Sequence, residues 1–268
     1  TDRSRGLGDV YKRQILNTLG LETTALGFIA GFTGKAIEDG LASQGIHTDF
    51  IHLPEGNSRI NVKVKHGDET EINGQGPVIT DEAINGLFAK LDTLTKEDIL
   101  VLAGSIPNTL PEDIYEKILA RLESKGIRIV VDATKDLLLN VLKYHPFLIK
   151  PNNHELGEMF GTVCKTDEDI IHYAKKLQEM GAVNVLISMA GDGAILITED
   201  GQNIKMGTPK GKVVNSVGAG DSMVAGFVAG YLRGGSYEEA LKSGTAAGSA
   251  TAFSEGLASL EMYEKMLK

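Results

Sequence analysis

The residues best suited to chemistry stand in one stretch, Asn215-Ser216-Val217-Gly218-Ala219-Gly220-Asp221-Ser222. Two glycines around an alanine let backbone approach a ligand closely, and the N–H groups of a first helical turn have no intrahelical partner. Such a turn can hold an anion, with the helix dipole adding about 0.3–1 kcal/mol in the same sense, and taken alone the same residues make a plain glycine-rich helix start equally well. Asp221 does not fit simple anion binding, because a carboxylate repels a phosphate. It serves either as an ordinary acid at a helix start or as a group that takes a proton.

Four further groups carry possible chemistry. Asn152 and Glu155, three apart in Lys150-Pro-Asn-Asn-His-Glu155, could face one ligand and suit magnesium held partly through water. The same spacing is also a capping box. Ser188, Gly191 and Gly193 lie in a turn that either passes a nucleotide or simply closes a hairpin. Ser105, in Ala103-Gly-Ser-Ile-Pro107, offers a hydroxyl or marks a plain turn, and Arg59 offers a guanidinium fit for a bidentate phosphate pair or lies exposed. His154 has no second histidine at ligand spacing, so a surface position is expected for it.

These groups must be positioned by something, and the chain between them alternates. Strands are expected over 24–29, 49–53, 99–103, 127–132, 147–150, 183–188 and 194–198. Helices are expected over 35–44, 81–94, 111–124, 155–160, 167–180, 219–232 and 237–253, with a short helical tail after Ser259. Two alternating runs, 59–65 and 69–73, are joined by His66-Gly67-Asp68 with no helix between them, which predicts a hairpin leaving the main sheet as a lid or a dimer contact. The fold class is therefore α/β: a doubly wound, mainly parallel sheet flanked by helices, with a small β-hairpin lid. In such a sheet the ligand lies beyond the carboxyl ends of the strands, where Gly104-Ser105, Asn152, Ser188 and Gly218 all fall.

Composition narrows the class. The 268 residues suffice for a sizeable core, and 42% hydrophobic with 24% charged residues is the profile of a soluble globular chain. The formal charge of -9 argues against non-specific nucleic-acid binding, and no apolar run approaches the roughly 18 residues of a membrane span. Cys164 is the single cysteine, so no internal disulfide forms, and a cytoplasmic setting is expected. It is expected to be a small, partly buried residue rather than a nucleophile. Residues 1–14 carry Arg3, Arg5, Lys12 and Arg13 with Gly6 and Gly8 and no apolar periodicity. A disordered or badly packed lead-in is expected there, with one domain over 15–268 and lid elements around 49–76.

Val217-Gly-Ala-Gly-Asp-Ser222 and Lys150-Pro-Asn-Asn-His-Glu155 resemble the motifs of the PfkB sugar kinases, of ribokinase-like fold. The likeness runs from Ile15 to the C-terminus. Ser58-Arg-Ile-Asn-Val-Lys-Val64, Glu69-Thr-Glu-Ile-Asn-Gly74 and Ala103-Gly-Ser-Ile-Pro107 resemble the branch acting on fructose 1-phosphate. The resemblance implies ATP-dependent phosphorylation of that sugar's 6-hydroxyl, giving fructose 1,6-bisphosphate. Tagatose 6-phosphate or fructose 6-phosphate is the alternative substrate, and a non-catalytic nucleotide-binding protein the alternative role. It implies Asp221 as base, Gly218, Ala219 and Gly220 as anion hole, and Glu155 and Asn152 as organisers of Mg2+ and the phosphates. Ser188, Gly191 and Gly193 would line the ATP cleft, Arg59 and Ser105 would meet the sugar phosphate, and a homodimer would form through the lid. The family pattern also begins with a strand bearing a substrate-binding Asp and a Gly-Gly-Lys-Gly-x-Asn loop, neither of which is present. A truncated or wrongly joined reading frame is therefore expected, with poor folding or weak sugar binding. A cooperative melt at ordinary temperature together with normal sugar affinity would refute that expectation.

Overall fold

The computed structural model describes residues 4–66, 68–104, 106–133 and 135–268. They fall into two compact units. The smaller comprises Glu22–Leu94 with Ile106–Ile114, and the larger comprises the chain up to Leu21, residues 95–104 and Tyr115–Lys268.

Helix α1 (Ser4–Thr18) opens the larger unit. The smaller unit then holds β1 (Thr24–Ala25), β2 (Phe28–Ala30), α2 (Gly31–Ala42), β3 (His47–Thr48), β4 (Ile51–Leu53), β5 (Asn61–His66), β6 (Asp68–Asn73) and α3 (Asp81–Leu91). The expected strand over 24–29 is split at Gly27, and its halves pair in parallel with β3 and β4 as two short ladders. The expected hairpin is present as antiparallel β5 and β6. Ala30, Leu53 and Ala83 form a small core with Phe28, Ile51 and Ile79 packed against it.

The larger unit continues with β7 (Ile99–Ala103), α4 (Ile114–Leu122), β8 (Arg128–Asp132), α5 (Lys135–Val141), β9 (Leu148–Ile149), α6 (Asn153–Met159), α7 (Asp167–Glu179), β10 (Asn184–Ser188), β11 (Ala194–Ile197), β12 (Asn203–Met206), α8 (Ala219–Gly234), α9 (Tyr237–Ala252) and α10 (Leu260–Leu267). Its sheet has the order β12-β11-β10-β9-β8-β7. Strands β7 to β10 are parallel neighbours in chain order, joined by helical crossovers, while β11 and β12 return antiparallel. Val130, Leu148, Leu186 and Leu196 of the sheet pack with Val224 and Phe227 of α8 and Leu241 and Ala247 of α9. The alternate positions Ile129, Val131, Ile149, Val185 and Ile187 are buried too, so the sheet is covered on both faces, as its continuous apolar strands require. This is the mainly parallel, helix-flanked α/β sheet that the sequence pattern predicts.

Two differences bear on function. Strand β12 has no expectation in the sequence, because Asn203-Ile-Lys-Met is too short and too mixed to read as apolar alternation. Residues 4–14, expected to lie outside the fold, continue α1 toward its start, and Ile15, Leu16 and Leu19 on the same helix are buried in the main core. Lys12 is buried with them, because two carboxylates receive its charge.

Candidate active site

The glycine-rich stretch opens a helix, as its sequence predicts. Gly218 is the N-cap of α8 and sits in the left-handed region at φ 79°, which glycine adopts without steric cost. Ala219, Gly220 and Asp221 make the first turn, so their N–H groups lie at the positive end of the helix dipole. A Cβ on Gly220 would stand 3.5 Å from Lys150 Nζ, an ordinary contact distance that makes this turn and the ammonium neighbours. Asp221 is 9% exposed.

Asp221 belongs to a buried cluster of four charges. Lys12 Nζ donates to Asp221 Oδ1 and lies 2.6 Å from Asp132 Oδ2, while Lys150 Nζ lies 3.5 Å from Asp132 Oδ1. Burial pushes the Asp221 carboxyl up, Lys12 offsets only part of that, and the negative charge of Asp132 adds to the rise. Burial acts in the same direction on Asp132, but there Lys150 and Lys12 outweigh it and hold the carboxyl below the usual range. Burial lowers the pKa of Lys12, and the two carboxylates more than reverse this, so the ammonium stays charged. The result is one carboxylate fixed in its ionised form and a neighbour whose affinity for a proton is raised.

Asp132 and Lys150 went unassigned in the sequence reading, although a signal was there. Asp132 ends a buried apolar strand at its carboxyl end, and Lys150 follows the next strand in the sheet. Lys12 carried no such signal.

The neighbouring strand ends complete the edge. Asn152 bridges Ser188 in parallel, and Ser188 N–H donates to Pro151 O at 3.2 Å. Asn152 and Glu155 form the capping box of α6: Glu155 N–H donates to Asn152 Oδ1 and Asn152 N–H donates to Glu155 Oε2, both at 2.8 Å. The cap fixes the Glu155 carboxylate and leaves its Oε1 outside the pair. That fits Mg2+ held through one carboxylate, water and phosphate oxygens. Among the described residues no group of three or more His, Cys, Asp or Glu forms a self-sufficient metal cage.

Ser188 to Gly193 closes the β10–β11 hairpin. Gly193 has φ 92°, and a Cβ there would come within 1.9 Å of Met206 O. Thr208 Oγ1 donates to Gly191 O at 2.8 Å, fastening the turn to the segment after β12. At the other end of the parallel set, Gly104 N–H donates to Asp132 O at 3.1 Å. Ser105 lies outside the described residues. Arg59 is half-buried in the smaller unit, at the start of the hairpin. Cys164 is buried, and burial raises its thiol pKa, which disfavours the nucleophilic thiolate.

A mainly parallel sheet whose edge gathers two buried carboxylates, two ammonium groups and a glycine-rich helix start suits an α/β enzyme that transfers phosphate. The comparisons with known proteins agree. The chain belongs to the pfkB family carbohydrate kinases, whose model matches residues 14–262. Lys12 precedes the matched segment. The chain is 50% identical over 243 residues to the 1-phosphofructokinase of Bacillus subtilis, covering 91% of this chain and 80% of that protein. It is 39% identical over 252 residues to the D-tagatose-1-phosphate kinase of Bacillus licheniformis, covering 94% and 82%. A crystal structure from Staphylococcus aureus assigned as a phosphofructokinase superposes with a TM-score of 0.90 at 46% identity, covering 97% of this chain and 84% of that one.

Proposed function

We propose that this protein transfers the γ-phosphoryl group of ATP to the 6-hydroxyl of fructose 1-phosphate, giving fructose 1,6-bisphosphate and ADP. The observation that carries the reading is Asp221 buried in the first turn of α8, behind the left-handed Gly218 and within the Asp132–Lys150 charge cluster. The relative from Bacillus subtilis supports the choice of sugar.

In this reading Asp221 accepts the proton of the sugar 6-hydroxyl as that oxygen attacks the γ-phosphorus. The bond from phosphorus to the β,γ-bridging oxygen breaks, and its electron pair leaves with ADP. The raised proton affinity of Asp221 suits it to this task. The N–H group of Gly220 and the ammonium of Lys150 hold the charge developing on the transferred group, while Ala219, whose N–H donates to Ser216 O at 3.2 Å, shapes the turn around it. Asn152 and Glu155 would hold Mg2+, which neutralises phosphate charge when bound. Ser188, Gly191 and Gly193 line the nucleotide cleft, and Arg59 and Ser105 take the sugar phosphate. The smaller unit leaves Phe32, Ile60 and Val78 exposed, which supports a homodimer formed through the lid.

The relative named for D-tagatose 1-phosphate supports a second reading, in which the C4 epimer is the substrate. ADP release with magnesium and ATP, comparing fructose 1-phosphate with D-tagatose 1-phosphate, tests both. A higher kcat/KM with the fructose ester is expected. The reverse order selects the second reading, and no turnover with either ester in a chain that binds ATP sinks both.

A further inference from the structure

The Asp221 carboxylate is occupied from within the chain. Lys12 of α1 donates to its Oδ1, lies 2.6 Å from Asp132 Oδ2 and is 3% exposed. The preceding residue, Tyr11, lies against the start of α8: a Cβ on Gly218 would stand 3.0 Å from Tyr11 Cδ2 and 3.5 Å from its Cε2. Two consecutive side chains of α1 therefore cover the two parts of the proposed reaction centre. The phenol ring covers the glycine-rich turn and the ammonium covers the carboxylate. A sugar hydroxyl must come within hydrogen-bond reach of Asp221 to give up its proton, so it competes with Lys12 for one buried group.

Helix α1 is held unequally along its length. Past Lys12 it is fixed, because Ile15, Leu16 and Leu19 are buried in the main core and the Arg233 guanidinium donates to Leu19 O. Ahead of Lys12 the sequence works against a helix. Gly6 and Gly8 stand within α1, where glycine gives up the most backbone freedom, and the first turn has no acidic residue to meet the positive end of the dipole. A helix fixed at one end and weak at the other opens from the weak end. Lys12 stands where the two halves meet. Its release leaves Asp132 with Lys150 at 3.5 Å, brings the freed ammonium to water and turns Asp221 toward an incoming hydroxyl.

We propose that the N-terminal half of α1 is an autoinhibitory latch: Tyr11 and Lys12 close the reaction centre, and fructose 1-phosphate binds when the helix ahead of Ile15 lifts away. This rests on the reading of Asp221 and the glycine-rich turn as the reaction centre. The coupling is reciprocal. Bound sugar favours the open latch, and the closed latch lowers the apparent sugar affinity by the fraction of chains that are open.

Hydrogen exchange on the full chain, with and without fructose 1-phosphate and magnesium-ADP, reads the latch. With the sugar ester bound, a peptide spanning 8–16 should exchange about fivefold or more faster, while one spanning 218–226 slows as the ligand seats on it. Calorimetry then compares fructose 1-phosphate binding across variants. Tyr11→Ala removes the ring on Gly218 and keeps the Lys12 charge, so the dissociation constant should fall about three- to tenfold. A helix that only supports the fold gives the opposite sign, because loosening it weakens the site. Gly8→Ala strengthens the helix ahead of Lys12, so sugar binding should weaken about two- to fivefold with no loss of stability.

Slower exchange over 8–16 with the sugar bound makes α1 a wall of the sugar site and overturns the proposal. Unchanged exchange there while 218–226 slows does the same. So does sugar binding by Tyr11→Ala no tighter than wild type, or by Gly8→Ala no weaker. A wild-type chain closed too firmly to bind sugar must gain binding in Tyr11→Ala, and absence of binding in both overturns the latch as well. Sugar binding without ADP release refutes the kinase reading separately, and exchange and calorimetry then decide the latch by themselves.

Discussion

The ammonium of Lys12 rests on the carboxylate of Asp221, 209 positions further along the chain, and both groups are buried. The contact sets two demands against each other. As a base, Asp221 needs a free lone pair toward a sugar hydroxyl, and Lys12 occupies Oδ1. As a buried anion, it needs a cation nearby. Replacing Lys12 by Met keeps length and removes the charge. We expect kcat/KM for the sugar to rise several-fold, with a stability loss of about 3–5 kcal/mol from the broken buried pair. ADP release at a temperature where the variant is folded, beside a denaturant melt, measures both. Unchanged kcat/KM would show that Lys12 does not compete for the base.

Asp221→Asn removes the proton acceptor and retains nearly the same volume. ADP release should fall about 10²–10⁴-fold, the range for a lost general base, while ATP binding by calorimetry stays near wild type. The kinase reading does not survive a variant that turns over normally.

How far the site could be read in advance depends on how local its chemistry is. Gly218 and Asn152-x-x-Glu155 were legible because a left-handed N-cap and a capping box are decided within a few residues. Most elements of the larger unit were legible for the same reason, since their apolar periods are strong. Lys12 was not, because its neighbours Arg3, Arg5, Gly6 and Gly8 read as unpacked chain, and only distant Asp132 and Asp221 make its burial affordable. The pairing of Asp132 with Lys150 is likewise created by the sheet order, which places β8 beside β9.

Asp132 should dominate the acid limb of stability. Its folded pKa lies below the usual 3.8, so its contribution is fully present above that value and is lost as pH falls through the folded value. Lys12 works at the other end. Its folded pKa is raised above 10.5, so its contribution holds below that and is lost as pH rises through the raised value. Asp132→Asn leaves two buried ammonium groups short of a partner and should cost about 3–5 kcal/mol at neutral pH. Melts between about pH 3 and 8 should also show a shallower acid limb in the variant. Equal slopes would remove Asp132 from this role.

The β10–β11 turn offers a paired test of backbone conformation. Ala190 holds φ 48°, a region that costs a residue with a Cβ about 1–2 kcal/mol. Ala190→Gly relieves that strain and adds freedom to the unfolded chain, for an expected net gain of about 0.5–1 kcal/mol. Gly193→Ala does the opposite. At φ 92° its Cβ would press to 1.9 Å from Met206 O, and a loss above about 2 kcal/mol is expected. Thermal midpoints of the two variants should move in opposite directions.

Helix α8 carries Asp221, and its packing on α9 fixes where that carboxylate stands. Gly226 lets the helices meet closely: a Cβ there would come within 2.5 Å of Ser243 O and 2.6 Å of the Ala247 Cβ, and Ser243 Oγ already donates to Gly226 O at 2.5 Å. Gly226→Ala must therefore push one helix from the other, at about 1–3 kcal/mol, and carry the first turn of α8 with it. Gly234→Ala is the matched control. Its Cβ would also collide, at 1.7 Å, but with the end of the Glu239 side chain, which can swing away. The first variant should lower both thermal midpoint and kcat, and the second neither by much. Equal losses in the two would mean that helix spacing at Gly226 does not set the position of Asp221.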